Sequence, residues 1–285
     1  MRTRQRRDGP LHLSGQNADA MKLNPPEFEL RAHARLALAE SRPEAKVAAV
    51  RMLDHRWIEP SVKLEAPEAP GRPDRPKLVP PAEVPRRDPR TREGRAALLH
   101  AIAHIEWNAI NLALDAIVRF AGLPEAFYRD WLQVAKEEAK HFTLLAEHLA
   151  SLGYAYGDFP AHNGLWEMAE KTRADVLARM ALVPRTLEAR GLDASPAIRD
   201  KLAQAGDARG AAILDVILRD EIGHVAIGNR WFRHLCAERG LDPMAAYVAL
   251  AQAHRAPRLR GPFNLEARRA AGFTREELEA LSAVG

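Results

Sequence analysis

Apolar residues recur every three to four positions through most of the chain after residue 92, which is the spacing of one buried face on an α-helix. Glycines and prolines divide this periodic region into long segments. No segment alternates apolar and polar residues for long enough to predict a β-strand. The pattern therefore predicts an all-α fold built around four long helices, over about 93–121, 124–152, 165–191 and 207–240.

Single residues mark the ends of these predicted helices. Gly122 and Gly153 follow the first two, as is common for glycine after a helix C-terminus. Pro184 predicts a kink in the last turns of the third helix. Ser195-Pro196 predicts the start of a separate short helix, which ends before an N-capping aspartate opens the fourth long helix.

Composition divides the chain into four parts. Residues 1–24 are basic and lack any period, which predicts a disordered tail. Residues 25–91 are expected to form a helical and proline-rich arm that packs on the main body, and residues 92–241 are expected to form that body. Residues 242–285 are expected to add two or three short helices.

The arm itself contains two kinds of sequence. Helical spacing predicts helices over 27–40 and 43–57. Nine of the chain's 20 prolines then fall between Pro60 and Pro89, which excludes a helix or a central strand there. This stretch is therefore either a linker or an extended arm laid over a neighbouring surface.

The overall composition narrows the class of protein. A chain of 285 residues with 47% hydrophobic and 28% charged residues is ordinary for a soluble globular protein, and no apolar run has the roughly 20 residues of a membrane span. The single cysteine, Cys236, excludes an internal disulfide and suits a reducing compartment, so the cytoplasm is the expected location. The net charge of +4 permits nucleic-acid binding but is also typical of a solvated surface.

Two predicted helices carry the same motif, Glu-x-x-His. Glu138 and His141 form the first example, and Glu221 and His224 form the second. Residues three apart share one face of a helix, so each carboxylate and imidazole can bind the same metal ion. The motif alone is weak, but both examples lie inside apolar stripes that should face the core. Because a buried carboxylate needs compensation, a metal ion is the interpretation that also explains the histidines.

A two-metal bundle needs two more glutamates, one from each remaining long helix. Glu106 lies 32 residues before the first motif's glutamate, and Glu188 lies 33 residues before the second motif's glutamate. Such near-equal offsets in two antiparallel helix pairs place all four carboxylates at one depth. Glu167 and Glu170 compete with Glu188, but they are predicted at the start of the third helix, too far from that level.

Further polar residues lie next to these candidate ligands. Glu137 and Asp220 each precede a ligand glutamate, and we expect Asp220 to accept the outer N–H of His141 and Glu137 that of His224. Plain surface carboxylates remain the alternative.

A third histidine pair has a different expected position. His100 and His104 lie one turn apart on the first long helix. They point away from the face of Glu106, so a polar or interface role is expected for them.

Five runs of the sequence resemble a bacterial ferritin-like family catalogued as domain-of-unknown-function family 455. These runs are residues 100–106, 137–142, 160–166, 187–193 and 220–229. The chain is also similar, more distantly, to the di-iron tRNA hydroxylase that oxidises an isopentenyl-type adenosine. The resemblance implies a ferritin-like four-helix bundle and a two-metal site at the positions given above, but it transfers no substrate.

The leading functional hypothesis is an oxidoreductase that holds two iron ions, with manganese or a mixed pair as alternatives. It would use dioxygen and an external electron donor to oxidise a small-molecule or tRNA-borne substrate. The alternatives are iron oxidation or peroxide detoxification, and a non-enzymatic scaffold that binds RNA or protein. Binding of tRNA would involve the basic turn that contains Arg255, Arg258 and Arg260.

Overall fold

The computed structural model of the protein describes residues 29–283, and this part of the chain is all-α, as the sequence predicts. A single isolated bridge, between Leu78 and Ala161, is its only β-type pairing. The helices are α1 (Leu30–Ala39), α2 (Pro43–Met52), α3 (Arg92–Arg119), α4 (Glu125–Ser151), α5 (Gly164–Lys171), α6 (Val176–Leu182), α7 (Ala189–Gln204), α8 (Ala208–Glu238), α9 (Pro243–Ala253), α10 (Leu265–Ala270) and α11 (Arg275–Ser282). The predicted tail over residues 1–24 lies outside the described residues.

Helices α3, α4 and α8 match three of the four predicted long helices. Local capping explains their ends: Thr91 Oγ1 accepts the N–H of Gly94 at the start of α3. Asp207 Oδ1 accepts the N–H of Gly210 at the start of α8, at 2.8 Å. Gly153, after α4, has φ of +78°, a conformation that favours glycine.

The predicted third helix is instead interrupted between α5 and α6. The helix ends after α5, and a turn follows. Arg179 holds this turn by donating to the carbonyl of Ala169 at 2.7 Å and to Thr172 Oγ1 at 3.0 Å. Asp175 then caps α6 through the N–H of Leu177. The two contacts of Arg179 join residues seven and ten positions apart, beyond the reach of helical periodicity.

A single turn of π-helix, Val183–Glu188, contains Pro184, the residue at which the sequence predicts a kink. Thr186 Oγ1 donates to the carbonyl of Ala181, five residues earlier, at 2.8 Å. Gly228 of α8 lies against this turn, and a Cβ on that glycine would lie only 2.5 Å from Pro184 Cβ. The close approach therefore depends on glycine at this position of α8.

The predicted helix end at Gly191 and the predicted new start at Ser195-Pro196 are both wrong, because α7 runs through them to Gln204. Proline at position 196 cannot donate to the carbonyl of Leu192, four residues earlier. Asn264 supplies that bond instead, with its Nδ2 3.2 Å from the Leu192 oxygen. A tertiary contact thus permits a proline inside this helix.

The long helices pack around one hydrophobic core. Helix α3 packs on α4, α4 packs on α8, and α8 packs on α6, the π-turn and α7. Arg179 of α6 donates to Asp115 of α3 at 2.6 Å, which joins the remaining pair. Between residues 29 and 283, no helix has both the length and the apolar character needed to cross a bilayer.

The proline-rich stretch lies along this body. Gly71 N–H donates to the carbonyl of Leu38 at 2.8 Å, and Val79 N–H donates to that of Ala161 at 2.8 Å. Helix α2 ends at Met52 and not near residue 57 as predicted. After α2 the backbone bonds to α1 instead, since the carbonyl of Trp57 accepts the N–H of Leu30.

Candidate metal centre

All six predicted ligands lie in the interior at one level of the long helices. Their exposed fractions are 8% or less, and four helical elements supply them. They are Glu106 of α3, Glu138 and His141 of α4, Glu188 at the end of the π-turn, and Glu221 and His224 of α8. Possible ligand atoms of Glu106, Glu138, His141 and Glu221 all lie within 4.8 Å of one another.

His141 and His224 face Glu138 from opposite sides, with their ring centres 5.8 Å apart. His141 Nδ1 lies 3.2 Å from Glu106 Oε2 and 3.3 Å from Glu138 Oε2. His224 Nδ1 lies 3.0 Å from Glu138 Oε1 and 3.5 Å from Glu221 Oε1. Glu138 therefore presents one oxygen to each histidine, which is the arrangement of a bridging carboxylate.

The outer nitrogens of both histidines contact the two carboxylates that the sequence paired with them. His141 Nε2 lies 3.0 Å from Asp220 Oδ2, and His224 Nε2 lies 2.7 Å from Glu137 Oε2. In each case the ring N–H donates to the carboxylate, so the tautomer is fixed and Nδ1 faces the glutamates. Asp220 is also bound by Lys140 and by Arg219, whose Nε is 3.0 Å from Oδ1.

Neither of these two cations was expected as part of the surroundings of the site. Lys140 precedes His141 on α4, and Arg219 precedes Asp220 on α8. No local pattern marks Lys140, because its contact with Asp220 joins residues 80 positions apart.

The charged groups of the cluster shift one another's pKa values. Burial, and then the neighbouring Glu138, raise the pKa of Glu106 well above its usual value. Burial and the charges of Glu221 and Glu138 likewise raise the pKa of Glu188. Burial by itself lowers the pKa of His141, but its contacts with Glu106 and Glu138 outweigh burial and raise the pKa to about 11.

Several buried atoms of the cluster have no hydrogen-bond partner in the described chain. They are Glu138 Oε1, Glu188 Oε2, Glu221 Oε2 and His224 Nδ1. Glu138 Oε1 and His224 Nδ1 are close, but their geometry is not that of a hydrogen bond. The donor set of carboxylate oxygens and imidazole nitrogens suits iron or manganese, so the residues present fit the metals that the sequence predicts.

The competing and neighbouring candidates lie elsewhere. Glu167 is exposed, and Glu170 accepts the indole N–H of Trp166 at 2.9 Å. His104 Nδ1 contacts Tyr156 Oη at 2.9 Å, and His100 Nε2 accepts the N–H of Gly157 at 2.9 Å. Both histidines thus hold the loop after α4 and are buried there.

Comparison with known proteins places the chain in a family. An uncharacterised protein of Haemophilus influenzae is 55% identical over 214 residues, which cover 73% of this chain and 74% of the relative. No solved structure matches the chain. The family model described as "Protein of unknown function (DUF455)" matches residues 39–279, so the chain belongs to that family.

Proposed function

We propose that this protein is a two-metal carboxylate oxidoreductase whose long helices form a ferritin-like bundle. Its activity would be the O2-dependent oxygenation or hydroxylation of an organic or tRNA-borne substrate. Two iron ions, or manganese or a mixed pair, would be held by Glu106, Glu138, His141, Glu188, Glu221 and His224.

One observation carries the proposal: four buried glutamates and two histidines face one another, and no lysine or arginine within residues 29–283 hydrogen-bonds to those glutamates. Among the arginines, Arg179 acts on Glu188, but it only partly offsets the charge there. Buried carboxylates in such number are costly without a balancing cation. A pair of divalent ions balances the charge and also gives partners to the unpaired oxygens of Glu188 and Glu221.

The protein's own residues orient the histidines. Asp220 and Glu137 accept the Nε2–H of His141 and His224, which directs each Nδ1 at the glutamates, where a metal ion would replace the Nδ1 proton. Lys140 and Arg219 keep Asp220 ionised, because their contacts outweigh burial and hold its pKa well below the usual value. Apolar side chains around the cluster exclude bulk water.

When bound, a pair of ferrous ions supplies electrons to dioxygen, and an external donor restores them. The scaffold thus needs an opening for a substrate and a surface for a reductant. These requirements distinguish the proposal from a purely structural metal site.

The first test is metal content after anaerobic addition of Fe2+ and removal of excess metal. We expect about two ions per chain in the wild type and their loss in the double variant Glu138→Gln, Glu221→Gln. Oxygen consumption by the ferrous protein should be lost in the same variant. Glu147→Gln is the matched control, because Glu147 is exposed on α4 and lies outside the site.

Two outcomes would contradict the proposal. One is a wild-type protein that retains no metal after reconstitution, and the other is a double variant that retains its full complement. Oxygen uptake in strict proportion to added Fe2+, with no dependence on a reductant, would favour iron oxidation as the activity.

A further inference from the structure

A groove of about 660 Å3 lies between the start of α3, the end of α7 and the segment 84–90. Arg95 holds these three elements together, since its Nη1 donates to the carbonyls of Arg90 at 3.1 Å and Ala205 at 3.4 Å. The volume is within the range of sites for small organic molecules. The groove is distinct from the ligand cluster, but it shares α3 with that cluster and borders α7, which directly follows Glu188.

The rim of the groove is cationic. Arg86 and Lys201 are exposed there, and neither side chain has an ion-pair partner in the described part of the chain. Two further rim arginines, Arg87 and Arg90, are each already bound to a carboxylate. The rim therefore offers two free cations, enough for one anionic group but few for a polyanion such as nucleic acid.

The walls of the groove are apolar. Ala97, Leu98 and Ala101 line it from α3, and Ile198 lines it from α7. Ile105, one turn beyond Ala101, is 49% exposed although it is a large apolar residue in a long core helix. An uncovered apolar row thus continues from the groove along α3.

Both walls lead towards the proposed metal centre. Leu98, Ile102 and Glu106 follow one another at intervals of four residues, and so form one row on α3. Glu106 is eight residues beyond Leu98, or about 12 Å along the helix. Glu188 is ten residues before Ile198 on the opposite wall, or about 15 Å by the same rise.

Space is open beside α7 at the half-buried Gly191. A Cβ built on Gly191 of α7 meets no atom within 4 Å, apart from its own helix backbone and chain neighbours. Gly191 lies between Ile198, in the groove, and Glu188, in the ligand cluster. The absence of a side chain at this position leaves room for a ligand to pass.

We infer that this groove is the substrate entrance of the metal centre and that the substrate is a small amphipathic anion. A carboxylate or phosphate head is held by Arg86 and Lys201, and an apolar body extends between α3 and α7 towards Glu106 and Glu188. The inference rests on the proposed function and adds the substrate class to it.

Head-group recognition is tested first on metal-free, full-length protein by calorimetric titration. Sodium decanoate and decyl phosphate are the two probes, and decyltrimethylammonium and inorganic phosphate are the controls for charge and for the apolar body. We expect the decyl anions to bind, and the double variant Arg86→Ala, Lys201→Ala to weaken them about tenfold or more. The better of the two probes identifies the head group.

The matched control is the double variant Lys171→Ala, Arg173→Ala, which removes two exposed cations outside the groove. Its affinity for decanoate should equal that of the wild type. Equal binding of decyltrimethylammonium, or unchanged affinity in Arg86→Ala, Lys201→Ala, would overturn the inference. Salt-dependent binding of tRNA through the same two residues, without binding of either decyl anion, would overturn it in favour of a nucleic-acid substrate.

Depth is tested with Mn2+-loaded protein by nuclear magnetic relaxation of bound decanoate. The terminal methyl protons should relax faster than the protons beside the carboxylate, because the methyl end lies nearer the ions. Gly191→Leu should abolish that difference with unchanged metal content, whereas Gly191→Ala should retain it. Faster relaxation at the carboxylate end would overturn the assigned orientation.

The two proposals fail in different ways. A protein that takes up neither Fe2+ nor Mn2+ contradicts the metal centre, and with it the entrance, while the metal-free titration still decides whether the groove binds an anion. A protein that binds Mn2+ but not the decyl anions contradicts the entrance alone.

Discussion

Two pairs of buried histidines in this protein have opposite electrostatic surroundings. His141 and His224 face carboxylates from several helices, whereas His100 and His104 lie against Tyr156 and the loop after α4. Burial lowers the pKa of both His100 and His104 to about 4. In the other pair the carboxylates outweigh burial, and the pKa of His141 rises to about 11.

The difference shows that burial of a histidine does not by itself indicate a metal site. His104 contacts a tyrosine hydroxyl and a carbonyl, and His100 Nε2 accepts a backbone N–H, while His100 Nδ1 has no hydrogen-bond partner among the described residues. His141 and His224 lie among four buried glutamates, and two protonated histidines cannot balance four carboxylate charges. An excess of buried negative charge, and not the histidine itself, marks the candidate site.

Replacing one histidine of each pair gives the largest expected difference in metal affinity. His141→Ala should lower metal affinity by more than the roughly 10- to 100-fold that outer contacts contribute, because it removes a ligand itself. His100→Gln should leave metal affinity unchanged. Metal titration of both variants measures the contrast, and equal affinities in the two would show that His141 is not a ligand.

Acid should destabilise the protein through His100. Its folded-state pKa of about 4 lies below the usual 6.5, so the unfolded state binds more protons between these values. The free energy of unfolding should therefore fall as pH drops from 6.5 to 4, by up to about 3 kcal/mol from this group. Urea unfolding of metal-free protein at pH 7 and pH 4.5 measures the loss.

The variant His100→Gln separates this group from the carboxylates that also titrate in acid. Glutamine can still accept the N–H of Gly157 but carries no proton to gain. Asp158 partly opposes the effect of burial, while His104 and the neutral Tyr156 also face the ring. A pH dependence as steep in the variant as in the wild type would exclude His100 as its source.

Asp220→Asn should sharpen the comparison by weakening the outer contact of His141, together with the contacts that Lys140 and Arg219 make to the same carboxylate. An amide accepts the Nε2–H less strongly than a carboxylate, so metal affinity should fall by about 10- to 100-fold with the fold intact. Asp215→Asn, at an exposed ion pair on the same helix, is the control and should have no effect on affinity. A metal affinity unchanged in both would assign Asp220 to surface charge alone.

Tyr156→Phe should have the smallest effect and only on stability. It removes the contact between Tyr156 Oη and His104 Nδ1, which should lower the free energy of unfolding by about 1 kcal/mol without changing metal affinity. Tyr154→Phe, which removes a hydroxyl with no hydrogen-bond partner in residues 29–283, should cost less. Weaker metal binding in Tyr156→Phe would show that the two histidine pairs are coupled.

Much of the candidate site follows from local spacing. Glu138 with His141, and Glu221 with His224, occupy single helix faces because residues three apart always do. The contacts of Asp220 and Glu137 with those histidines also agree with the predicted pairing. The inward position of Glu106 follows from the apolar residues on the same face of α3, because the residues that share a face are fixed in a regular helix.

Glu188 was harder to predict, because its helix is irregular. The break between α5 and α6, and the π-turn before α7, change the register of every residue that follows. The spacing that selected Glu188 assumed a continuous helix. Glu188 therefore lies in the cluster only because the effects of the break and of the π-turn on the helical register offset each other.

The sequence by itself determined the all-α class, the helical faces of the candidate ligands and the ends of α3, α4 and α8, because periodicity and capping act within a few residues. Only the tertiary structure decided how the third helix is divided. Arg179 interrupts it, Gly228 admits Pro184 against α8, and Asn264 replaces the hydrogen bond that Pro196 lacks. The last two contacts join residues more than 40 positions apart, which local sequence rules do not describe.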